Sequence, residues 1–142
     1  MGKVKTIIKL TNFVDKKNAE NNLIPVQNVR TIEIEMLADT GATMLVIGED
    51  IAKKLGIEKE SEIWIKLADD SIQRHYKGKG ILVEFGERDC VTDCVILEKG
   101  VEPILGQIPL EEMDLLVDCK NQKLIPNPES PDGKTLIMVK KA

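Results

Sequence analysis

Aromatic residues are scarce in this 142-residue chain, at 3% with one Trp, one Tyr and two Phe. That shortage excludes a stacking platform for single-stranded bases and leaves an aliphatic core of Ile, Leu and Val. Basic residues are not in excess either: 20 Lys and Arg stand against 24 Asp and Glu, a net charge of −4, and they are dispersed among the acids. No electrostatic footprint for a phosphate backbone results, so nucleic acid is not an expected partner. No apolar run approaches the length that spans a bilayer, and Met1-Gly-Lys-Val-Lys-Thr6 lacks the apolar stretch of a signal peptide. The expectation is a cytoplasmic protein with no membrane partner.

Cysteine and histidine are equally few. Cys90, Cys94 and Cys119 are an odd number, and His75 is the only histidine. On a strand, Cys90 and Cys94 would lie roughly 13 Å apart on one face, too far for a disulfide or a shared metal. They read as small apolar packing residues, with no metal and no cofactor expected.

What the chain does have is enough length for one domain, with 42% hydrophobic and 31% charged residues. A single domain over 1–142 is expected, its core at about 29–126. Most segments are short, alternating or β-branched, and bounded by turn residues, which is the pattern of an all-β barrel or sandwich with one or two short helices. Val4 to Leu10 reads as a first strand and Thr11 to Val29, rich in Asn and Lys, as a long loop or loose hairpin. Thr31 to Ala38 alternates apolar Ile32, Ile34 and Met36 with Thr31, Glu33 and Glu35, so one face is buried. Met44 to Ile47 reads as a short strand. Glu49 to Leu55 reads as a helix, with acids in its first turn, lysines in its last and Gly56 as its stop.

Glu62 to Leu67 and Ile72 to Phe85 flank the polar tip Ala68-Asp69-Asp70-Ser71, a projecting hairpin, and the chain returns as Cys90 to Leu97. Pro109 followed by Glu111 and Glu112 marks a second short helix. Asp114 to Asp118 and Gln122 to Ile125 suggest another hairpin, Pro126 to Pro131 a connector, and Lys134 to Lys140 a last edge strand. Trp64 is expected in the core or at an interface, and His75 beside Tyr76 on a surface strand.

One run stands out. Leu37-Ala38-Asp39-Thr40-Gly41-Ala42-Thr43 puts a carboxylate at the end of an apolar strand, on a turn whose Gly leaves little to block a ligand. A strand-ending turn in which Asp39 caps nearby backbone amides would use the same residues. A second apolar-apolar-Gly run follows downstream, Ile104-Leu105-Gly106.

Taken with Leu45-Val-Ile47, Glu49 to Gly56, Leu67-Ala-Asp-Asp70 and Glu102 to Asp118, the Asp39 run resembles the retropepsin-like clan of aspartic proteases, particularly their small prokaryotic single-domain relatives. Order and spacing agree from Thr31 to Ile125. The resemblance implies a closed acid-protease barrel in which Asp39 is the catalytic carboxylate and Thr40 bonds across a dimer centre. Gly41, Ala42 and Thr43 continue the active-site turn, and Ala68, Asp69, Asp70 and Ser71 form a flap over substrate. Ile104, Leu105 and Gly106 thread beside the turn as part of a ψ-shaped loop.

The chemistry needs two carboxylates sharing a proton, whereas the chain has one Asp-Thr-Gly, so a symmetric homodimer is implied. Terminal strands would pair at its interface. Two departures are the long segment from Thr11 to Val29 and a hairpin tip with two acids and no Gly. An aspartic endopeptidase acting on a peptide or protein is the leading expectation. The alternative is an inactive protein-interaction or dimerisation module of the same fold.

Overall fold

Alternation writes the first two strands, and their pairing sets the frame of the site. In the computed structural model, which describes residues 3–141, strand β1 spans Lys3–Asn12 and β2 spans Thr31–Asp39. Val4, Ile8 and Leu10 of β1 and Met36 and Ala38 of β2 point into the core, while Lys3, Lys5, Ile7 and Lys9 face out. The strands run antiparallel, in register from Lys3 opposite Asp39 to Thr11 opposite Thr31.

The segment between them is not the expected loop. It begins as a helix, α1, at Phe13–Glu20, followed by a 3-10 turn at Val26–Asn28. The Asn12 side chain caps α1 by accepting the Asp15 amide at 3.0 Å, and its own amide donates to Leu55 O at 2.8 Å. Asp15 is buried and receives the Arg30 guanidinium on both oxygens, at 2.8 and 3.0 Å, together with the Arg30 backbone amide at 3.0 Å. The helix is therefore ordered by long-range polar contacts, which a polar local sequence does not advertise.

The next elements follow the sequence closely. They are β3 at Leu45–Gly48, α2 at Glu49–Leu55, β4 at Ser61–Lys66, β5 at Ile72–Phe85 and β6 at Arg88–Leu97. Gly56 ends α2 at φ 69°, the left-handed conformation that glycine adopts without penalty. Two-residue β7, Ile104–Leu105, leads into α3 at Gln107–Glu112, and β8, Leu115–Asp118, pairs with β9, Lys123–Pro126, in a separate ribbon. Three α-helices are present among the described residues, where one or two were expected.

The main sheet has the order β1-β2-β7-β3-β6-β5-β4. In addition, Lys9 to Asn12 of β1 pair with Glu84 to Ile81 of β5, so β1 is bonded on both edges near its end. Ile8, Leu10, Met36, Leu45, Ile47, Leu55, Ile81, Val83, Leu105, Leu110 and Met113 fill the interior. Each such side chain contributes about 1.5–3 kcal/mol through burial. Cys90 and Cys94 are buried in this core, whereas Cys119 is exposed on the β8–β9 turn.

One further expectation is corrected and another narrowed. Trp64 is 69% exposed on β4, which excludes the core and leaves the interface half of its expectation. The segment from Lys134 to Lys140 forms no strand. Among the described residues only its start is tied down: Lys134 N donates to Pro131 O and Leu136 N to Asp114 Oδ2, each at 2.9 Å, while Gly133 O, just before it, accepts from Arg88 Nε at 3.2 Å. Asp114 also accepts from Ser130 Oγ and, at 3.0 Å, from Asn127 Nδ2. Arg88 is itself buried and donates to Met113 O at 2.7 Å. These isolated bonds make no ladder, and Leu136, Ile137, Met138 and Val139 remain exposed.

Candidate active site

Ala38 is the last core residue of β2, so Asp39 emerges where the strand leaves the interior. Its side chain is only 14% exposed. Oδ1 accepts the Gly41 amide at 2.8 Å, and the Asp39 carbonyl accepts the Ala42 amide at 3.1 Å, closing a tight turn. The anticipated amide-capping arrangement is thus present, and it orients the carboxylate as well as ending the strand. The other oxygen, Oδ2, lies 4.0 Å from Lys3 Nζ across the β1–β2 pair. Thr40, Gly41 and Thr43 are exposed beside it, and Ala42 is half-buried.

The Ile104-Leu105-Gly106 run lies against this turn. β7 is inserted between β2 and β3, parallel to Leu37 and Ala38 and antiparallel to Val46. Leu37 N donates to Pro103 O at 3.0 Å. Gly106 caps α3 with its Cα packed on the turn, where a β-carbon would collide with Met44 O and lie 2.8 Å from Met44 N. The first amides of α3, which lack partners within the helix, donate to the turn's carbonyls, Gln107 N to Ala42 O at 2.7 Å and Ile108 N to Thr43 O at 2.9 Å. Buried Leu105, Leu110 and Met113 anchor that clamp in the core.

The hairpin tip forms its own small network. Ala68, Asp69, Asp70 and Ser71 are all exposed. Leu67 N donates to Ser71 O and Asp70 N to Leu67 O, each at 2.9 Å, while Asp70 takes φ 67°. Asp69 Oδ1 accepts the Ser71 hydroxyl at 2.6 Å and the Ser71 amide at 2.9 Å, which together hold its carboxyl below the usual range. Lys66 Nζ lies 3.4 Å from Asp70. Both acids are thus engaged within the hairpin. Farther along, half-buried His75 lies opposite Ile63 with Nε2 2.9 Å from Gln73 Oε1.

Other candidate nucleophiles and ligands are poorly placed. Burial pushes the Cys90 and Cys94 thiols up to about 12. Such thiols stay protonated and inert. Among the described residues no group of three or more His, Cys, Asp or Glu could hold a metal ion, and no helix is long and apolar enough to cross a membrane. Lys3 is the residue that sequence reasoning missed at the site. Its proximity depends on a strand register across the long 13–30 connection, and no local pattern encodes that register.

A carboxylate with one oxygen pinned by an amide and the other open to a cation or solvent can take or give a proton. It cannot do both at once. No curated protein matches this chain. A family model described as "gag-polyprotein putative aspartyl protease" matches residues 27–112, spanning β2, the Asp39 turn, the hairpin, Gly106 and α3. The chain belongs to this retropepsin-like aspartyl protease family.

Proposed function

We propose that the chain is an aspartic endopeptidase working as a symmetric homodimer, which hydrolyses peptide bonds by activating a water between two Asp39 carboxylates. The observation that carries this reading is the orientation of Asp39: a nearly buried carboxylate fixed through one oxygen by Gly41, on a turn clamped by Gly106 and α3. One carboxyl, ionised, takes a proton from water while its symmetry mate, protonated, donates to the substrate carbonyl. Two such groups require two copies of the turn.

Within this reading Thr40, Gly41, Ala42 and Thr43 form the floor around the dyad, and Ile104, Leu105 and Gly106 hold that floor in place. Ala68, Asp69, Asp70 and Ser71 form the flap, beneath which an extended peptide or protein segment binds as a strand. The double pairing of β1 supports regarding the main sheet as a closed barrel and 1–142 as one domain. Chain termini would contribute to the interface, with β1 as the strand available for it. A cytoplasmic setting suits the buried thiols of Cys90 and Cys94. No metal or cofactor is needed.

The inactive interaction module is the second reading, and one contact favours it: the Lys3 ammonium, 4.0 Å from Oδ2, competes with a water for the oxygen that Gly41 leaves open. A diverse peptide library, incubated from acidic to neutral pH with the protein, its Asp39→Asn variant and a pepstatin-like inhibitor, decides between the two. Cleavage that is lost with Asp39→Asn and blocked by the inhibitor supports the protease. Absence of cleavage by a demonstrated dimer supports the module.

A further inference from the structure

Lys3 stands beside Asp39 because of register. β1 and β2 pair through nine consecutive positions, from Lys3 opposite Asp39 to Thr11 opposite Thr31. Directly opposed residues in an antiparallel pair project from the same face, and here that places the ammonium 4.0 Å from the oxygen Gly41 does not hold. Other charges flanking the carboxylate are committed or more distant along the strands. Lys5, opposite Leu37, lies 3.2 Å from Glu102, which precedes β7, and Glu35 of β2 is opposite Ile7. β7 contributes Ile104 and Leu105, and residues 40–44 of the turn are uncharged.

Bringing two copies together with their Asp39 turns face to face sets two like charges close to each other whenever both carboxyls are ionised. That repulsion opposes assembly. Two-fold symmetry also brings two Lys3 ammoniums, one beside each carboxylate. We propose that Lys3 is the counter-charge that lets two ionised Asp39 carboxylates meet across the dimer axis, so that assembly depends on pH through this pair. The inference rests on the homodimer reading above. Once acid places a shared proton on the two carboxyls, the repulsion falls and the lysine is no longer required.

The test is sedimentation equilibrium of the full chain and of Lys3→Met, Lys3→Arg, Asp39→Asn and the Lys3→Met/Asp39→Asn double variant, at about pH 7.5 and about pH 4.5. Lys3 is largely exposed, so these variants keep the fold, which far-ultraviolet circular dichroism checks. Lys3→Met is expected to weaken the dimer about tenfold at the higher pH and less than about twofold at the lower, with Lys3→Arg close to the unaltered chain. In the Asp39→Asn background, Lys3→Met should change nothing. A loss that is equal at both pH values, or that persists in that background, overturns the counter-charge role and leaves the dimer standing. A chain that stays single at every pH and concentration overturns the homodimer reading, and this inference with it.

Discussion

Gly106 packs its bare Cα onto the peptide of Met44, closely enough that a β-carbon would collide with Met44 O and sit 2.9 Å from Ala42 O. Its φ of −87° is open to any residue, so contact and not backbone conformation demands glycine here. Gly106→Ala must push residues 42–44 off α3 and strain the Gln107 N to Ala42 O bond. A loss of about 2–3 kcal/mol in urea unfolding is expected, with kcat falling more than KM rises. An unchanged urea midpoint would show that turn and helix do not meet as described.

Asp39→Asn keeps the volume and an oxygen for the Gly41 amide but cannot hold the charge. Stability should stay within about 0.5 kcal/mol of the unaltered chain, while peptide turnover drops about a thousandfold. Undiminished turnover would assign the activity elsewhere.

Asp114 ties down the C-terminal segment. The Ser130 hydroxyl, then the Leu136 amide and the Asn127 side chain, hold its carboxyl below the usual range. Its stabilisation is complete above about pH 4, where an unfolded Asp is ionised, and is lost as pH falls through the lower folded value. The protection factor of the Leu136 amide, its exchange rate set against the unstructured-chain rate at the same pH, should therefore fall in acid, and Asp114→Asn should leave that amide with little protection at every pH. Equal protection on both sides of that range would sink the idea.

Arg30 neutralises a carboxylate that is almost out of solvent, since Asp15 is 7% exposed. Arg30→Met leaves Asp15 with the Arg30-position backbone amide as its remaining donor from that residue, at a cost of about 2–3 kcal/mol in thermal or urea unfolding. Adding Asp15→Asn should recover part of the loss. Additive costs for the two substitutions would mean the pair is not coupled.

The parts of the fold that were legible are those whose signals are local. Glu49–Leu55 reads as a helix because Glu49, Asp50, Lys53, Lys54 and Gly56 each answer a requirement of a helix end. Asp39 and Gly106 stand out because each follows an apolar pair where a strand ends. The helix at Phe13–Glu20 is hidden, since Asn12 and Asp15 need Leu55 and Arg30 to show their purpose. Lys134 to Lys140 has strand-like composition, but a strand needs an edge to join, and among the described hydrogen bonds the one side-chain contact to its backbone is Leu136 N to Asp114. Lys3 is invisible for a similar reason, because only the folded register carries it to Asp39.

Bonding β1 to both β2 and β5 also sets an order of events during synthesis. β1 leaves the ribosome before both partners and can zip onto Thr31–Asp39 soon afterwards, but its other partner, Ile81 to Glu84, is translated much later. Until then the Lys9–Asn12 end of the strand is an open edge able to recruit a neighbouring nascent chain, with Lys9 as its charged deterrent. Closure of β1 onto β5 is therefore a late, long-range event, and the sheet is complete only when β7, translated last of its strands, inserts between β2 and β3, which should be the slowest step of folding.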